Sequence, residues 1–253
     1  VKSFVAILTQ FIFRLSFGLA LGMALTSPRA VTSGYYRNHL YVLLGLNVLV
    51  AMVAITSGQF QAAPGIVAAV LSYAGAVLWL YEKPRAGIAL LAILSAVCLW
   101  GAWAATNWQL VDTPLRGMLM AGDVLSSGLL LGITMAAMFL GHWYLNSPTM
   151  AIAPLERLVV MMGGAAAIRG LVEAGILVHY FSQVTPSSGQ FLFIVLRWLS
   201  GIVGPLVLAV MTYKTLQIPN TQSATGILYV GVIGTFLGEL TSLLLNLPAA
   251  GAT

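Results

Sequence analysis

The sequence predicts an all-α integral membrane protein with eight transmembrane helices, on three observations. First, 60% of its 253 residues are hydrophobic and only 7% are charged, with a mean hydropathy of +0.97. A soluble domain carries about 25% charged residues, and no soluble fold of this length has interior enough for so much apolar surface. Second, windows of about 20 residues, the length that takes a helix across a bilayer, find eight separate apolar stretches. Third, proline, asparagine and most charged residues fall between those stretches, where the chain must turn.

The first span is predicted over roughly Phe4 to Leu25. Arg14 lies at its centre and no small-x-small cleavage site precedes Pro28, so it reads as a mature helix and not as a signal peptide. Pro28, Arg29, Tyr35, Tyr36 and Arg37 form the exit loop, and the second span covers about His39 to Ile55. Ser57, Gly58 and Pro64 turn the chain into a third span, Gly65 to Leu80, which the run Glu82-Lys83-Pro84-Arg85 closes. The fourth covers Ala86 to Ala105 and leads to a loop with Trp108, Asp112, Pro114 and Arg116. The fifth covers Gly117 to Leu140, and Asn146-Ser147-Pro148 breaks it from the sixth, Pro154 to Phe181. A polar, uncharged loop from Gln183 to Gly189 precedes the seventh, Gln190 to Thr212. Lys214, Pro219 and Asn220 turn into the eighth, Ser223 to Leu245, and a short loose tail runs from Pro248 to Thr253. No soluble domain is expected.

Lys and Arg in loops set the orientation. The loops after spans one, three, five and seven hold Arg29, Arg37, Lys83, Arg85, Arg157 and Lys214, whereas the opposite side holds Lys2 and Arg116. Both termini are therefore expected outside the cytoplasm, and the bias fits a bacterial inner (plasma) membrane. The net charge of +5 belongs to these loops, and no clustered basic run points to nucleic acid. Tyr35, Tyr36, Trp79, Tyr81, Trp143 and Tyr144 are expected in an inner aromatic belt, with Trp103, Trp108, Tyr180 and Phe181 in an outer one.

The two halves share an ordered set of similar segments. Phe17-Gly18-Leu19-Ala20-Leu21-Gly22-Met23 is similar to Ser127-Gly128-Leu129-Leu130-Leu131-Gly132-Ile133, and each leads to a Ser-Pro pair, Ser27-Pro28 and Ser147-Pro148. Ala76-Val77-Leu78 and Ala86-Gly87-Ile88 are similar to Ala209-Val210-Met211 and to Gly226-Ile227 with Ala224 before them. Two tandem four-helix units are expected, 1–110 and 111–253. Four crossings return each copy to the same side, so the pseudo-twofold lies along the membrane normal. The Gly18/Gly22 and Gly128/Gly132 pairs have the spacing of close helix contacts.

Six ionisable residues lie within spans: Arg14, Asp123, Arg169, Glu173, Arg197 and Glu239. Three are positive and three negative, the balance that desolvation demands if they meet. Arg169 and Glu173 are four residues apart and share a helix face. Arg14 and Asp123 fall at nearly equivalent places in the two units and are expected to pair. Arg197 would then join Glu173 and Glu239 in a second group, bridged by Arg169. Such charges either lock helices together or line a ligand or proton pocket. The second reading is preferred, with the pocket in the outer half of the membrane, since intramembrane charges mark functional sites by default. Trp198 beside Arg197, and His179 beyond Glu173 as a proton relay or an ordinary interface residue, complete the candidate site.

His39 and His142 sit at the inner ends of their spans. As haem b ligands they would need facing helices at matched depth. The sequence meets depth alone, so interfacial histidines without haem are expected, and no covalently bound cofactor or metal site. Cys98 is a lone packing residue. The zinc-protease, phosphate-loop, serine-elbow and c-type haem motifs are absent from the sequence.

Three functions compete. Two four-helix bundles carrying no cofactors resemble, in architecture alone, the integral subunits of quinone-linked oxidoreductases of the NrfD/DmsC type, which implies a quinone site at the buried charges and partner subunits that carry electrons. Arg, Glu and His near a Trp suit a quinone headgroup that exchanges protons. This redox subunit is the first expectation. A small transporter or channel using the same charges is the second, weakened because Pro205 has no counterpart in span three. A structural or assembly subunit is the third.

Overall fold

Apolar runs that leave water must satisfy every backbone N–H and C=O internally, which selects helix. The structure, a computed structural model, describes residues 2–58, 62–147, 149–183, 187–218 and 220–245. Its elements are α1 (Lys2–Leu25), α2 (Ser33–Thr56), α3 (Ala62–Leu80), α4 (Pro84–Ala104), a 3-10 turn (Trp108–Leu110), α5 (Pro114–Asn146), α6 (Ala153–Gln183), α7 (Ser188–Trp198), a π-helical turn (Leu199–Val203), α8 (Gly204–Leu216) and α9 (Thr221–Leu245). Among the described residues eight helical spans are long and apolar enough to cross a membrane, with α7, the π turn and α8 forming one, Ser188–Leu216. The architecture is that of a multi-pass, all-helical protein. The expected break at Pro148, the turn at Pro219 and the tail from Pro248 to Thr253 lie outside the described residues.

Three helices depart from their expected bounds for reasons a hydropathy window does not register. The α5 helix runs for 33 residues, about 50 Å. The Thr113 hydroxyl caps its start by accepting from Arg116 N (3.3 Å), with Pro114 at the first position. Its far end continues past Leu140 because the polar residues there find partners. Trp143 Nε1 donates to Thr32 Oγ1 (2.9 Å), the Tyr144 hydroxyl donates to the Ala151 carbonyl, and His142 Nδ1 shares a hydrogen bond with the Tyr229 hydroxyl (3.0 Å). The α2 helix starts at Ser33 and takes in Tyr35 and Tyr36, which belong to the interior and not to an aromatic belt. Both are fully buried. The Tyr36 ring stacks on Trp79 at 3.9 Å and its hydroxyl donates to the Thr26 carbonyl (2.9 Å). Trp79 and Tyr144 are likewise buried, whereas Tyr81 is exposed as a belt residue would be.

The seventh span is interrupted. Gly204 N–H reaches back five residues to Leu199 O. The next residue, Pro205, has no N–H, and its ring would collide with the carbonyl four residues before it in a regular α-helix. The π turn relieves that clash.

Packing places α5 at the centre, 78% buried over its apolar window against 22% for the α7–α8 span. In the first half α1 touches α2 and α4, and α3 touches α2 and α4. In the second, α5 touches α6 and α9, and α8 touches α6 and α9. The halves meet mainly along α1 and α5. Glycine makes that contact: a Cβ on Gly18 would fall on the Gly128 carbonyl, and one on Gly132 would fall on the Gly18–Leu19 peptide. Gly201 and Gly238 bring the π turn onto α9 in the same way. Cys98 is buried with Sγ 3.8 Å from Asn47 Oδ1, a packing position.

Gly132→Val must push α1 off α5 and is expected to cost at least about 3 kcal/mol, beyond ordinary overpacking. At Gly45 an added Cβ meets nothing within 4 Å, so Gly45→Ala should be neutral or slightly stabilising. Unfolding of the detergent-solubilised variants measures both.

Candidate functional site

A guanidinium at hydrocarbon depth must find carboxylates and polar oxygens inside the protein. The six charges within the apolar spans form one continuous network drawn from α1, α5, α6, α7 and α9. Arg14 Nη1 donates to Asp123 Oδ2 (2.8 Å), Glu239 Oε1 (2.7 Å) and Ser127 Oγ (3.0 Å). Arg14 Nη2 reaches Gln10 Oε1 (3.2 Å), one turn back on α1. Arg169 Nη1 donates to Asp123 Oδ1 (2.7 Å), to the Asp123 carbonyl (3.0 Å) and to Ser126 Oγ (3.2 Å). Arg169 Nη2 lies 2.6 Å from Glu173 Oε1, 3.3 Å from Glu239 Oε2 and 3.4 Å from Ser242 Oγ. Arg197 Nη2 pairs with Glu173 Oε1 and lies 3.7 Å from Asp123 Oδ1. None of the six residues is more than 8% exposed.

The expected Arg14–Asp123 pair is present. Of the expected second group, Arg197 does pair with Glu173 and Arg169 does bridge, but Glu239 takes Arg14 and Arg169 in place of Arg197, which has Asp123 behind it. The reason is reach. Asp123 is on the most enclosed helix and serves all three arginines, while Glu239 on α9 faces α1 and α6. Four hydrogen-bonding side chains were not foreseen, namely Gln10, Ser126, Ser127 and Ser242. Each lies three or four residues from a charge on its own helix, a spacing that the sequence does display.

Two cavities border the network. One, of about 10 Å³, sits on its inward side among Ser127, Arg169, Glu173, Arg197, Thr235 and Glu239, room for about one water. The other, of about 70 Å³, lies between the C-terminal part of α6 and α7 and is lined by Glu173, Tyr180, Gln190, Arg197 and Trp198 with apolar neighbours. Both carboxylate oxygens of Asp123 and of Glu239 are held by arginines, and Glu173 Oε1 by two. Glu173 Oε2 and Arg197 Nη1 make no hydrogen bond among the described residues. Arg197 Nε is buried without a partner there. Glu173 and Arg197 line both cavities, so an acceptor and a donor remain available where the larger cavity meets the charges.

The other candidate residues fall apart from this centre. Trp198 lines the larger cavity, but His179, half-buried on α6, is not among its lining residues. His39 and His142 are neighbours that bond to different partners. His39 Nδ1 bonds the Tyr35 carbonyl of its own helix (2.6 Å) and its ring stacks on Phe139 at 4.2 Å, while His142 turns to Tyr229 on α9. No group of three or more His, Cys, Asp or Glu side chains poised for a metal occurs among the described residues. No protein-family model, curated protein or solved structure matches this chain.

The network holds three positive and three negative charges, so removing one leaves an excess charge in a dry interior. Arg14→Met or Asp123→Leu alone should cost about 3–5 kcal/mol. The double variant restores neutrality and should cost less than the sum by at least about 2 kcal/mol. A double-mutant cycle on unfolding stability reads this, and additive losses would show that the two residues act independently.

Proposed function

We propose that the chain is a multi-pass subunit of a respiratory or redox complex, handling quinone and protons where Glu173 and Arg197 meet the larger cavity. The observation that carries this reading is that Glu173 Oε2 and Arg197 Nη1, both without a hydrogen bond among the described residues, belong to residues lining the larger cavity. A quinone presents carbonyl oxygens that accept, and its reduced form presents hydroxyls that donate. Arg197 Nη1 supplies the donor for the first and Glu173 Oε2 the acceptor for the second, with the Trp198 ring beside them. Aromatic surface next to a charge-assisted hydrogen-bonding pair is a fitting complement to such a headgroup. Electrons would come from or go to another subunit.

Two tandem four-helix units, 1–110 and 111–253, related by a pseudo-twofold along the membrane normal, belong to the same proposal. The matching order of helix neighbours in the two halves supports it, as does the contact of Gly18 with Gly128, its counterpart in the repeat. The inner-membrane orientation with both termini outside is also part of the proposal and rests on the loop arginines and lysines. A small transporter or channel is the second reading. It draws on the π turn at Pro205, an interruption one turn from Arg197 of the kind that lines transporter sites.

Two measurements test these statements. A short-tailed benzoquinone should quench tryptophan fluorescence saturably, and Trp198→Phe should remove most of that component. Quenching that does not saturate, or that ignores Trp198→Phe, overturns the quinone site. For orientation, in a Cys98→Ala background on whole cells, an impermeant thiol reagent should label Asp112→Cys and spare Lys83→Cys. The reverse pattern inverts the topology.

A further inference from the structure

The larger cavity lies among α6, α7 and α9. Its floor is Glu173 and Arg197, and Leu245 of α9 forms one wall. The remaining walls are a strip of α6 at Glu173, Leu177 and Tyr180 and a strip of α7 at Gln190, Ile194 and Arg197. Each strip repeats at three and four residues, so each is a single helix face. These two faces border a gap. The α6 helix packs on the π turn and on α8, and α7 packs on α9, but α6 and α7 do not pack along one another as the other neighbouring helices do. The seventh span packs on α9 along its whole length but on α6 mainly through the π turn and α8, and Gly201 of the π turn touches Gly238 of α9. The gap between α6 and α7 is flanked by exposed apolar surface of both helices. The residues beside it, Val178 and Phe181 on α6 with Phe191, Leu192 and Phe193 on α7, are large, apolar and exposed. An opening bordered this way faces lipid tails.

We infer that the α6–α7 cleft admits its ligand sideways from the bilayer, and that the ligand class is a membrane-dissolved molecule with a compact polar head and a long apolar tail. The head takes the free oxygen of Glu173 and the free nitrogens of Arg197. The tail lies along Leu177 and Ile194 and leaves between α6 and α7. About 70 Å³ holds part of a headgroup and no tail, so a tail must continue into the gap and the lipid beyond. This rests on the proposed quinone site and adds the route and the tail.

The test uses the whole protein in lipid nanodiscs or vesicles, a long-tailed isoprenoid quinone as the probe, and Trp198-dependent quenching as the readout. At fixed total quinone, diluting it about fourfold with extra lipid should lower occupancy in step with its mole fraction in the bilayer, as mass action requires for a ligand drawn from that phase. Leu177→Phe and Ile194→Phe, which fill the gap with no new tryptophan, should each weaken binding about tenfold while leaving the unfolding transition in place. Occupancy that follows the aqueous concentration of a short-tailed quinone, ignores added lipid and survives both substitutions overturns lateral access but leaves the site. The absence of any saturable, Trp198-dependent quenching with either quinone overturns the site itself.

Discussion

Three arginines in the dry part of a helical bundle cannot shed their charge, because guanidinium stays protonated in proteins. Each must be met by carboxylates at hydrogen-bond distance or the fold does not form. That requirement explains the arrangement of the second half and its junction with the first. Asp123 has the shortest acidic side chain, yet it serves Arg14, Arg169 and Arg197. It can do so only because α1, α6 and α7 converge on α5. The convergence in turn needs small residues. Gly18, Gly128 and Gly132 bring α1 against α5 so that Arg14 spans to both Asp123 and Glu239. The glycine contact and the ion pairs are therefore one device: close backbones place the charges, and the charges fix the register in which the backbones approach.

The network is firm on one side and loose on the other. Toward α1, α5 and α9 both oxygens of Asp123 and Glu239 are taken and Ser126, Ser127 and Ser242 accept from the Nη groups of Arg14 and Arg169, with Arg14 Nε left unpartnered among the described residues. Toward α7 the pairing rests on Arg197 and one oxygen of Glu173. The π turn sits directly below that arginine, forced by Pro205 and held by the Gly201–Gly238 contact. A π turn costs regular hydrogen bonding, and such turns concentrate where a site needs an irregular backbone. Here it separates a half-span packed against α6 from a half-span that leaves α6, and the cavity lies in the resulting fork.

Much of this is legible in the sequence because it follows from composition and spacing. Apolar length marks the eight spans, and charge in an apolar run marks Arg14, Asp123, Arg169, Glu173, Arg197 and Glu239 as residues that must meet. The partner of each was harder to read. Glu173 on Arg169's own helix and Glu239 on α9 both reach Arg169, and only side-chain reach in three dimensions assigns Glu239 to Arg14 and leaves Arg197 to Glu173. Tyr35 and Tyr36 misled for another reason. Aromatic residues near a membrane boundary look alike in sequence whether they face headgroups or stack inside, and it is the Trp79 ring that draws Tyr36 inward. The π turn was visible only as Pro205, which specifies that a helix must yield there and not how.

Charge balance also bears on what the open edge can do. With three arginines and three carboxylates the network is neutral, and any proton added to Glu173 would leave it with an excess positive charge in a medium that screens poorly. A ligand in the cavity that accepts from Arg197 or from a protonated Glu173 would share in that balance. Under the proposed reading, then, occupancy of the cavity and protonation of Glu173 are linked, and neither is set by the carboxylate alone. The linkage needs no moving helix. It follows from a neutral cluster with one uncommitted oxygen, Glu173 Oε2, on the edge that the α6–α7 fork leaves uncovered.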